Sequence, residues 1–401
     1  MEPHYLYSNR GESSIKPCKS HCFQTRSTLY EMSVAEIYDN DNISKLEARF
    51  AVDEISHTGD KWVFMGKYPL QPFKEGTRGT YGGEFVSQGI VAAWETVKDH
   101  EMSPHSLHSY FVKAGSRDSP IRWEVQEANN GRNYANRLVQ GYQSHTNKLV
   151  FTIQVSFSKK NHIKQRETEY ANQEEKRIEA ENKDMAEKSV RVPKLHQPFQ
   201  FQRKPMYYFD KYRDKLDDLP FFEHTYGHLQ HIVPPELFTA TNKADFESTG
   251  NVHLGFFVRA NDDLSLAKDA NRARIIDLAF ASDSFYLSII INALGLSLPT
   301  SHASEAARLL NFFRVSLDHS LFFHDLDFDP TDWLFLEFKF ARMSNDRVLC
   351  KCYFYTRDGR LICSVVQEAL VFLSKEIMDK ANEFNENSKR ENEVDSLTAK
   401  L

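Results

Sequence analysis

Asp283 is a carboxylate set within a strongly apolar stretch of the sequence. It lies in residues 275–298, IIDLAFASDSFYLSIIINALGLSL, between Ser282 and Ser284. An unpaired carboxylate buried there would be costly to desolvate, and its pKa would rise. A carboxylate with a raised pKa can accept a proton near neutral pH, so Asp283 is a candidate general base. The pattern also permits an exposed stripe, or a position that caps a second helical segment.

Two further polar residues stand on strand-like runs that follow. Gln367 is the polar member of an otherwise apolar strand face, so it needs a hydrogen-bond partner if it is buried, and a backbone group could be that partner. Ser316 shares a face with Arg314 and Asp318, where an exposed hydroxyl is the simplest expectation. His319 and Asp318 are neighbours on one strand and therefore point to opposite faces. We expect them to serve packing and not to form a catalytic dyad.

Two predicted helices would position these side chains. Residues 275–298 are predicted to form one long buried helix, because apolar residues recur there at helical spacing. A second helix is predicted to begin after Tyr81, in GGEFVSQGIVAAWETV. Gly82 and Gly83 would let a ligand approach its free backbone N–H groups closely. Both glycines are therefore tentative donors to an oxyanion or a bound acyl thioester.

The strand-like runs repeat within the chain. Four follow the first predicted helix, four follow the second, and NVHLGFFVRA is a further strand candidate before the second helix. The two halves share identities at a constant offset of 210 residues: Ser106 and Ser316, Leu107 and Leu317, Pro120 and Pro330, Trp123 and Trp333, Glu127 and Glu337. The chain is therefore predicted to be an α+β protein with two copies of one unit, each a helix with an antiparallel sheet.

Composition changes along the chain suggest five segments. Residues 1–43 are predicted to be a flexible N-terminal extension, and 44–158 the first unit. Residues 159–250 are a charged linker followed by an irregular connecting segment, and the linker is either a solvated helix or flexible. Residues 251–374 form the second unit, which carries the candidate catalytic residues. Residues 375–401 form a polar tail.

Overall composition excludes several classes of partner. The chain has 401 residues, of which 41% are hydrophobic and 26% charged, as in an ordinary soluble protein. Its net charge of −6 gives no basic footprint for nucleic acid. No run approaches the roughly 18 apolar residues of a membrane span. Five cysteines with poor spacing for a disulfide framework favour a reducing compartment.

Other kinds of site are poorly supported. The sequence has no G-x-S-x-G elbow, no Walker A loop and no G-x-G-x-x-G loop. His224, His228 and His231 have a spacing that could place them on one helical face, but Gly227 interrupts that helix and no H-E-x-x-H pattern is present. The N-terminal arm holds a second weak metal-ligand set, formed by Cys18, His21 and Cys22. We expect neither a metal nor a cofactor.

Longer phrases of the sequence resemble a known family. YGGEFVSQGIVAAWETV and HSLHSYFVKAGSRDSPIRWEV are similar to the N-terminal half of the acyl-CoA thioesterase II family, found in bacteria and peroxisomes. LAFASDSFYL, SLDHSLFFH, DWLFLE and FYTRDGRLICSVVQEA are similar to its C-terminal half. The resemblance covers most of residues 45–160 and 250–373. It implies the double hotdog fold, in which a long helix is wrapped by a curled antiparallel sheet and the whole unit occurs twice.

The resemblance also implies an activity and a set of catalytic residues. In the family an aspartate, a hydroxyl residue and a glutamine hold the hydrolytic water. By motif match these are Asp283 in ASD, Ser316 in RVSLDHS and Gln367 in VVQEA. The family commonly has threonine at the position of Ser316, so this chain keeps the hydroxyl and lacks a methyl group. The implied reaction is hydrolysis of a fatty acyl-CoA to a free fatty acid and CoA.

The last three residues, Ala399, Lys400 and Leu401, have the small-basic-leucine pattern of a peroxisomal import signal. With the resemblance, they imply a fungal peroxisomal type of enzyme, located in the matrix and active in fatty-acid metabolism, with the import receptor as a partner. A homodimer is a possible assembly. Two alternatives stay open: a non-catalytic acyl-CoA-binding relative, and a hotdog-fold enoyl-CoA hydratase, whose G-D-x-N-P-x-H string is not found here.

Overall fold

The computed structural model describes residues 33–73, 79–159, 162–184, 197–224, 227–238, 254–299, 309 and 312–398. The helices are Val34–Tyr38 (α1), Lys45–Phe50 (α2), Gly82–Trp94 (α3), Ile163–Asp184 (α4), Tyr207–Tyr212 (α5), Ala270–Ala281 (α6), Tyr286–Ala293 (α7) and Lys375–Thr398 (α8). Short 3₁₀ turns within the described residues cover Leu216–Asp218, Pro235–Phe238 and Leu264–Leu266.

The strands belong to one antiparallel sheet. They are Val52–Thr58 (β1), Lys61–Gly66 (β2), Ser103–Phe111 (β3), Ile121–Asn130 (β4), Tyr134–Gln143 (β5), Lys148–Ser158 (β6), Phe222–His224 (β7), Leu229–Ile232 (β8), Leu254–Ala260 (β9), Phe313–Ser316 (β10), Asp318–Phe323 (β11), Leu334–Ser344 (β12), Arg347–Tyr355 (β13) and Leu361–Phe372 (β14). Their order is β1-β2-β4-β5-β6-β3-β11-β14-β13-β12-β9-β8-β7, with β10 also on β14.

The strand order supports the predicted duplication. From the sheet edge to the middle, the first half runs β1-β2-β4-β5-β6-β3, and the second runs β8-β9-β12-β13-β14-β11 after one additional edge strand, β7. The halves meet where β3 pairs with β11, and Leu107 lies opposite Leu321 there. Seven of the eight strands predicted after the two helices are confirmed as single strands, and the eighth, RVSLDHSLFFH, is divided into β10 and β11. The strand predicted before the second helix is β9. The β1–β2 hairpin that precedes α3 is absent from the prediction.

Residues 159–250 contain more regular structure than the sequence suggests. The linker includes helix α4, which is one of the two predicted alternatives. Strands β7 and β8 pair with each other and β8 pairs with β9, so the second half of the sheet begins at Phe222 and not near residue 251. Glu337 helps to anchor this segment, because its buried carboxylate accepts from the Met206 N–H at 3.1 Å and pairs with Arg203 at 2.7 Å.

Both ends of the described chain are helical. Within the predicted N-terminal extension, α1 starts at a capping box formed by Ser33 and Glu36, and Ile37 is fully buried. Residues 375–398 of the predicted polar tail form α8. The tripeptide from Ala399 to Leu401 lies outside the described residues, as does the Cys18, His21 and Cys22 set. The cysteines of the described chain, Cys350, Cys352 and Cys363, are free and buried.

The predicted single helix over residues 275–298 is wrong. Helices α6 and α7 are separate and meet at a bend of 42°. Phe285 at the break has a left-handed backbone, with φ of 60°, which an uninterrupted helix cannot contain. No single helix of the described chain is long and apolar enough to cross a membrane, although this bent pair together meets that test of length and composition.

Helices α3 and α6 pack against each other beneath the sheet. Every residue of α3 from Gly82 to Ala93 is buried, as expected of a helix that is surrounded on all sides. Hydrogen bonds join the helices: Ser87 Oγ donates to the Ile276 carbonyl at 3.1 Å, Tyr81 Oη to the Phe280 carbonyl at 2.6 Å, and Arg272 Nη2 to the Val91 carbonyl at 3.2 Å. The start of α3 is thereby fixed beside the end of α6.

Candidate active site

Asp283 lies in the break between α6 and α7 and is 8% exposed. It is neither on an exposed stripe nor the N-cap of α7, which is Phe285. The serines on either side are each held by a buried histidine. Ser282 Oγ lies 2.8 Å from His319 Nε2, and Ser284 Oγ lies 2.6 Å from His231 Nε2. The backbone that carries Asp283 is therefore fixed on both sides.

Gln367 and Ser316 join Asp283 at one point. Gln367 Nε2 donates to Asp283 Oδ1 at 2.5 Å and to Ser316 Oγ at 2.9 Å. The partners of this amide are therefore side chains, and not a backbone group as the alternative interpretation allowed. Ser316 is half-buried rather than exposed. Tyr286 Oη donates to the backbone carbonyl of Gln367 at 3.1 Å, which fixes the strand below the amide.

Ser316 reaches the site because the strand register changes beside it. Ser316 lies opposite Ala369 in the β10–β14 pairing, whereas Ser320 lies opposite Val366 in the β11–β14 pairing. One residue, Leu317, is therefore extra on this side, as in a β-bulge. Its N–H still donates to the Glu368 carbonyl at 2.9 Å.

Gly82 brings the first unit into this site. Its backbone N–H donates to the Asp283 carboxylate. A Cβ at this position would lie 2.4 Å from Asp283 Oδ2 and 2.8 Å from Phe111 Cζ, so only glycine fits without displacement. Gly83 lies one residue further along, where a Cβ would lie 2.3 Å from the Phe280 carbonyl oxygen. Close packing of α3 on α6 thus requires Gly83 whatever its chemical role.

The electrostatics of the site favour proton exchange near neutral pH. Burial raises the pKa of Asp283 to about 6, because the charged carboxylate loses its hydration. Hydrogen bonds from Gln367, Gly82 and Ser316 oppose that rise. The positive end of the α3 dipole lies beside the carboxylate and acts in the same direction. Asp283 is thus charged at neutral pH and still basic enough to accept a proton.

His319 is a member of the site that sequence reasoning missed. It is fully buried, and its ring lies between Ser282 and Gln367. Burial lowers the pKa of His319 to about 4, so the ring is neutral at physiological pH. Asp318 has a different partner, since its carboxylate accepts the Glu368 N–H at 3.0 Å. The packing interpretation overlooked the polar partners that His319 acquires.

His224, His228 and His231 do not share a helical face, because they lie in and beside the β7–β8 hairpin. His228 instead lies near Asp262 and Asp277, with potential ligand atoms within 4.8 Å of one another.

Asp262 is the satisfied member of this second group, whereas both carboxylate oxygens of Asp277 and both ring nitrogens of His228 lack a hydrogen-bond partner in the described chain. Asp262 already accepts four hydrogen bonds, from Ser44 Oγ and from three backbone N–H groups, and thereby caps α2. Burial raises the pKa of Asp277 well above its usual range and lowers the pKa of His228 to about 4, so the His228 ring is neutral at pH 7. A cation would have to displace the cap and also tolerate the nearby charges of Lys45 and Arg49.

Comparisons with known proteins agree with the architecture of the chain. A family model described as the acyl-CoA thioesterase N-terminal domain matches residues 71–158, and one described as the acyl-CoA thioesterase C-terminal domain matches residues 210–371. The second match begins before residue 251, as does the second half of the sheet.

Similar proteins extend over most of the chain. Peroxisomal acyl-coenzyme A thioester hydrolase 1 from Saccharomyces cerevisiae is 30% identical over 353 residues, which cover 78% of this chain and 91% of that protein. Acyl-coenzyme A thioesterase 8 from Rattus norvegicus is 26% identical over 313 residues, or 78% of this chain and 85% of that protein.

Solved structures resemble the fold. Acyl-CoA thioesterase II TesB2 from Mycobacterium marinum has a TM-score of 0.51 at 19% identity, and the likeness covers 82% of this chain and 98% of that one. A putative thioesterase II from Thermobifida fusca has the same TM-score and coverage at 13% identity. These structural similarities show the double hotdog fold. The two domain matches and the yeast relative show that this chain belongs to the acyl-CoA thioesterase family.

Proposed function

We propose that this protein hydrolyses fatty acyl-CoA thioesters, with Asp283, Ser316 and Gln367 as the residues that hold and activate water. One observation carries the assignment of the site. A buried carboxylate with a pKa of about 6 accepts hydrogen bonds from the Gln367 amide and from the first turn of α3. Family membership supplies the substrate class, and the geometry supports the location of the chemistry.

The reaction follows from these groups. A water oxygen attacks the thioester carbonyl carbon while Asp283 accepts a proton from that water. The Ser316 hydroxyl and the Asp283 carboxylate orient the water, and Gln367 holds both of them. Collapse of the tetrahedral intermediate breaks the C–S bond and yields the fatty acid. The departing CoA sulfur takes the proton from Asp283, which restores the carboxylate.

Negative charge that develops on the thioester oxygen needs donors. The N-terminus of α3 is the proposed source, with the Gly82 and Gly83 N–H groups as candidates. In the free protein the Gly82 N–H is bonded to Asp283. Once Asp283 is protonated its hold on that N–H weakens, at the same time as the oxyanion forms. Loss of one such donor typically costs about two to three orders of magnitude in rate.

A peroxisomal matrix location is part of the proposal. It rests on the terminal Ala399, Lys400 and Leu401 and on the yeast relative, whose name places that protein in peroxisomes. An import receptor that reads the terminal tripeptide would be the partner, and fatty-acid metabolism the context. A homodimer stays a prediction that sedimentation of the purified chain tests.

CoA release from short-, medium- and long-chain acyl-CoAs, followed with a thiol reagent, tests the proposal. Wild type should turn over, and Asp283→Asn should lose about 100-fold or more in kcat. Asp277→Asn is the matched control, because Asp277 is also a buried carboxyl group but has no described contact with Gln367. Acyl-CoA binding without CoA release by wild type would contradict the proposal and favour the non-catalytic relative.

A further inference from the structure

The proposed site requires one particular orientation of the Gln367 amide. Its Nε2 group must face Asp283 and Ser316, because the reverse orientation would place Oε1 against a carboxylate. A charged Asp283 enforces that choice by itself. A protonated Asp283 does not, since its O–H can donate to a reversed Oε1. During each reaction cycle, therefore, another group must hold the amide.

His319 lies in the right place to hold it. The β11–β14 register pairs Ser320 with Val366, so one further step along the strands places His319 opposite Gln367 on the same sheet face. Both side chains have no exposed surface. The Gln367 side chain lies close enough to the ring to oppose the effect of burial on the pKa of His319.

Two buried atoms remain to be satisfied at this contact. Gln367 Oε1 and His319 Nδ1 both lack a hydrogen bond of good geometry in the described chain. A buried polar atom without a hydrogen-bond partner destabilises the folded state. A small rotation that joins Nδ1–H to Oε1 would satisfy both atoms at once, which no other described side chain does.

The contacts of the other ring nitrogen permit the required tautomer. Ser282 Oγ lies 2.8 Å from His319 Nε2 and 2.7 Å from the Ala279 carbonyl oxygen. If the hydroxyl donates to Nε2, the ring proton sits on Nδ1 and faces Gln367 Oε1. Ala279 keeps an acceptor role, because the Ser282 N–H donates to its carbonyl at 3.3 Å. The opposite tautomer would set a nitrogen lone pair against an oxygen lone pair.

We infer that His319 is a positioning residue for the proposed thioesterase reaction: it donates Nδ1–H to Gln367 Oε1, with Ser282 as the anchor of its other nitrogen. The inference rests on the proposed function for its catalytic meaning. The chain of donors runs from Ser282 through His319 and Gln367 to Asp283. Because the ring is neutral near pH 7, it holds the amide without adding a charge beside the base.

The test compares His319→Leu, His319→Asn and Ser282→Ala with wild type. Leucine removes both hydrogen bonds, whereas the Asn amide can still place a donor near the Nδ1 position. We expect His319→Leu to lower kcat by about tenfold to 100-fold with little change in KM, and His319→Asn to recover most of that loss. Ser282→Ala should lie between them. His324→Leu is the matched control, because His324 also bonds a serine, Ser364 at 2.8 Å, away from the site.

Two readouts separate positioning from a merely structural role. His319→Leu should raise the pKa of Asp283, since a freed amide no longer stabilises the carboxylate. It should also have no further effect on kcat in a Gln367→Ala background. An equal loss of kcat from His319→Leu in the wild-type and Gln367→Ala backgrounds would overturn the inference. An unchanged Asp283 pKa in a folded His319→Leu protein would also overturn it. Carboxyl NMR measures the pKa of Asp283 without any turnover. This measurement therefore tests the inference even if the wild type releases no CoA, and the lack of turnover would count only against the proposed function.

Discussion

Asp283→Asn should change the pH dependence of stability in a definite direction. The folded-state pKa of Asp283 is about 6 and its ordinary value is 3.8. Between these values the folded state binds more protons than the unfolded state, so stability falls as pH rises. Asparagine does not titrate and removes this loss. The variant should therefore gain stability relative to wild type as the pH is raised from about 4 to about 7.

The expected size follows from the shift. A change of about two pKa units corresponds to about 3 kcal/mol, of which about 2.4 kcal/mol develops between pH 4 and pH 7. Constant costs of the substitution, such as an Asn amide that faces the Gly82 N–H, cancel in this comparison. A chain of this length loses roughly 0.8 kcal/mol per degree near its midpoint, so the melting-temperature difference should change by about 3 °C.

Thermal unfolding of both proteins across this pH range measures the effect. Asp277→Asn serves as a second reference, because burial also raises the pKa of that carboxyl group. A melting-temperature difference that stays constant with pH would refute the reasoning, since Asp283 would then titrate alike in the folded and unfolded states. A difference that shrinks with rising pH would mean a lowered pKa and an ordinary ion-paired carboxylate.

Three other predictions use the same site. The value of kcat/KM should rise tenfold per pH unit below about pH 6 and level off above it, as Asp283 loses its proton, and a pH–rate profile checks this. Gly82→Ala should lower kcat about 100-fold in a folded protein, because the new Cβ would lie 2.4 Å from Asp283 Oδ2; activity within a factor of two would contradict it. Removal of Ala399, Lys400 and Leu401 from a chain with an N-terminal fluorescent tag should move fluorescence from peroxisomes to the cytosol, and unchanged punctate signal would count against the import signal.

The sheet could be predicted well from the sequence because its signal is local. Alternation with a period of two marks strands such as β6, and the repeated offset of 210 residues marks the duplication. The helix break could not be predicted in this way. Phe285 is held in its left-handed conformation among aromatic side chains from distant parts of the chain, including Phe73, Phe222 and Phe256. Local apolar periodicity contains no information about these contacts.

The residues of the site could be predicted in part. The Asp283, Ser316 and Gln367 set could be proposed by resemblance, and the structure places these side chains within hydrogen-bond distance. The position of His319 could not be inferred, because an uninterrupted strand would turn it away from Ser316. The register change at Leu317 brings both residues to one face.

The contact between Gly82 and Asp283 depends on how two distant helices pack. It joins the two units through residues that lie about half of the chain apart, and no local pattern specifies it. The paired glycines at the start of α3 nevertheless gave a usable signal, since adjacent glycines at a helix start indicate close approach by another group.

Single-turnover hydrolysis in ¹⁸O-labelled water tests the central claim most directly. With enzyme in excess over acyl-CoA, attack by water on the thioester should place ¹⁸O in the fatty acid carboxylate and leave the protein unlabelled. Mass spectrometry of the fatty acid and of the peptide that contains Asp283 reads both outcomes. Unlabelled fatty acid together with ¹⁸O in that peptide would mean that Asp283 attacks the thioester itself as a nucleophile, and would contradict its assignment as a general base.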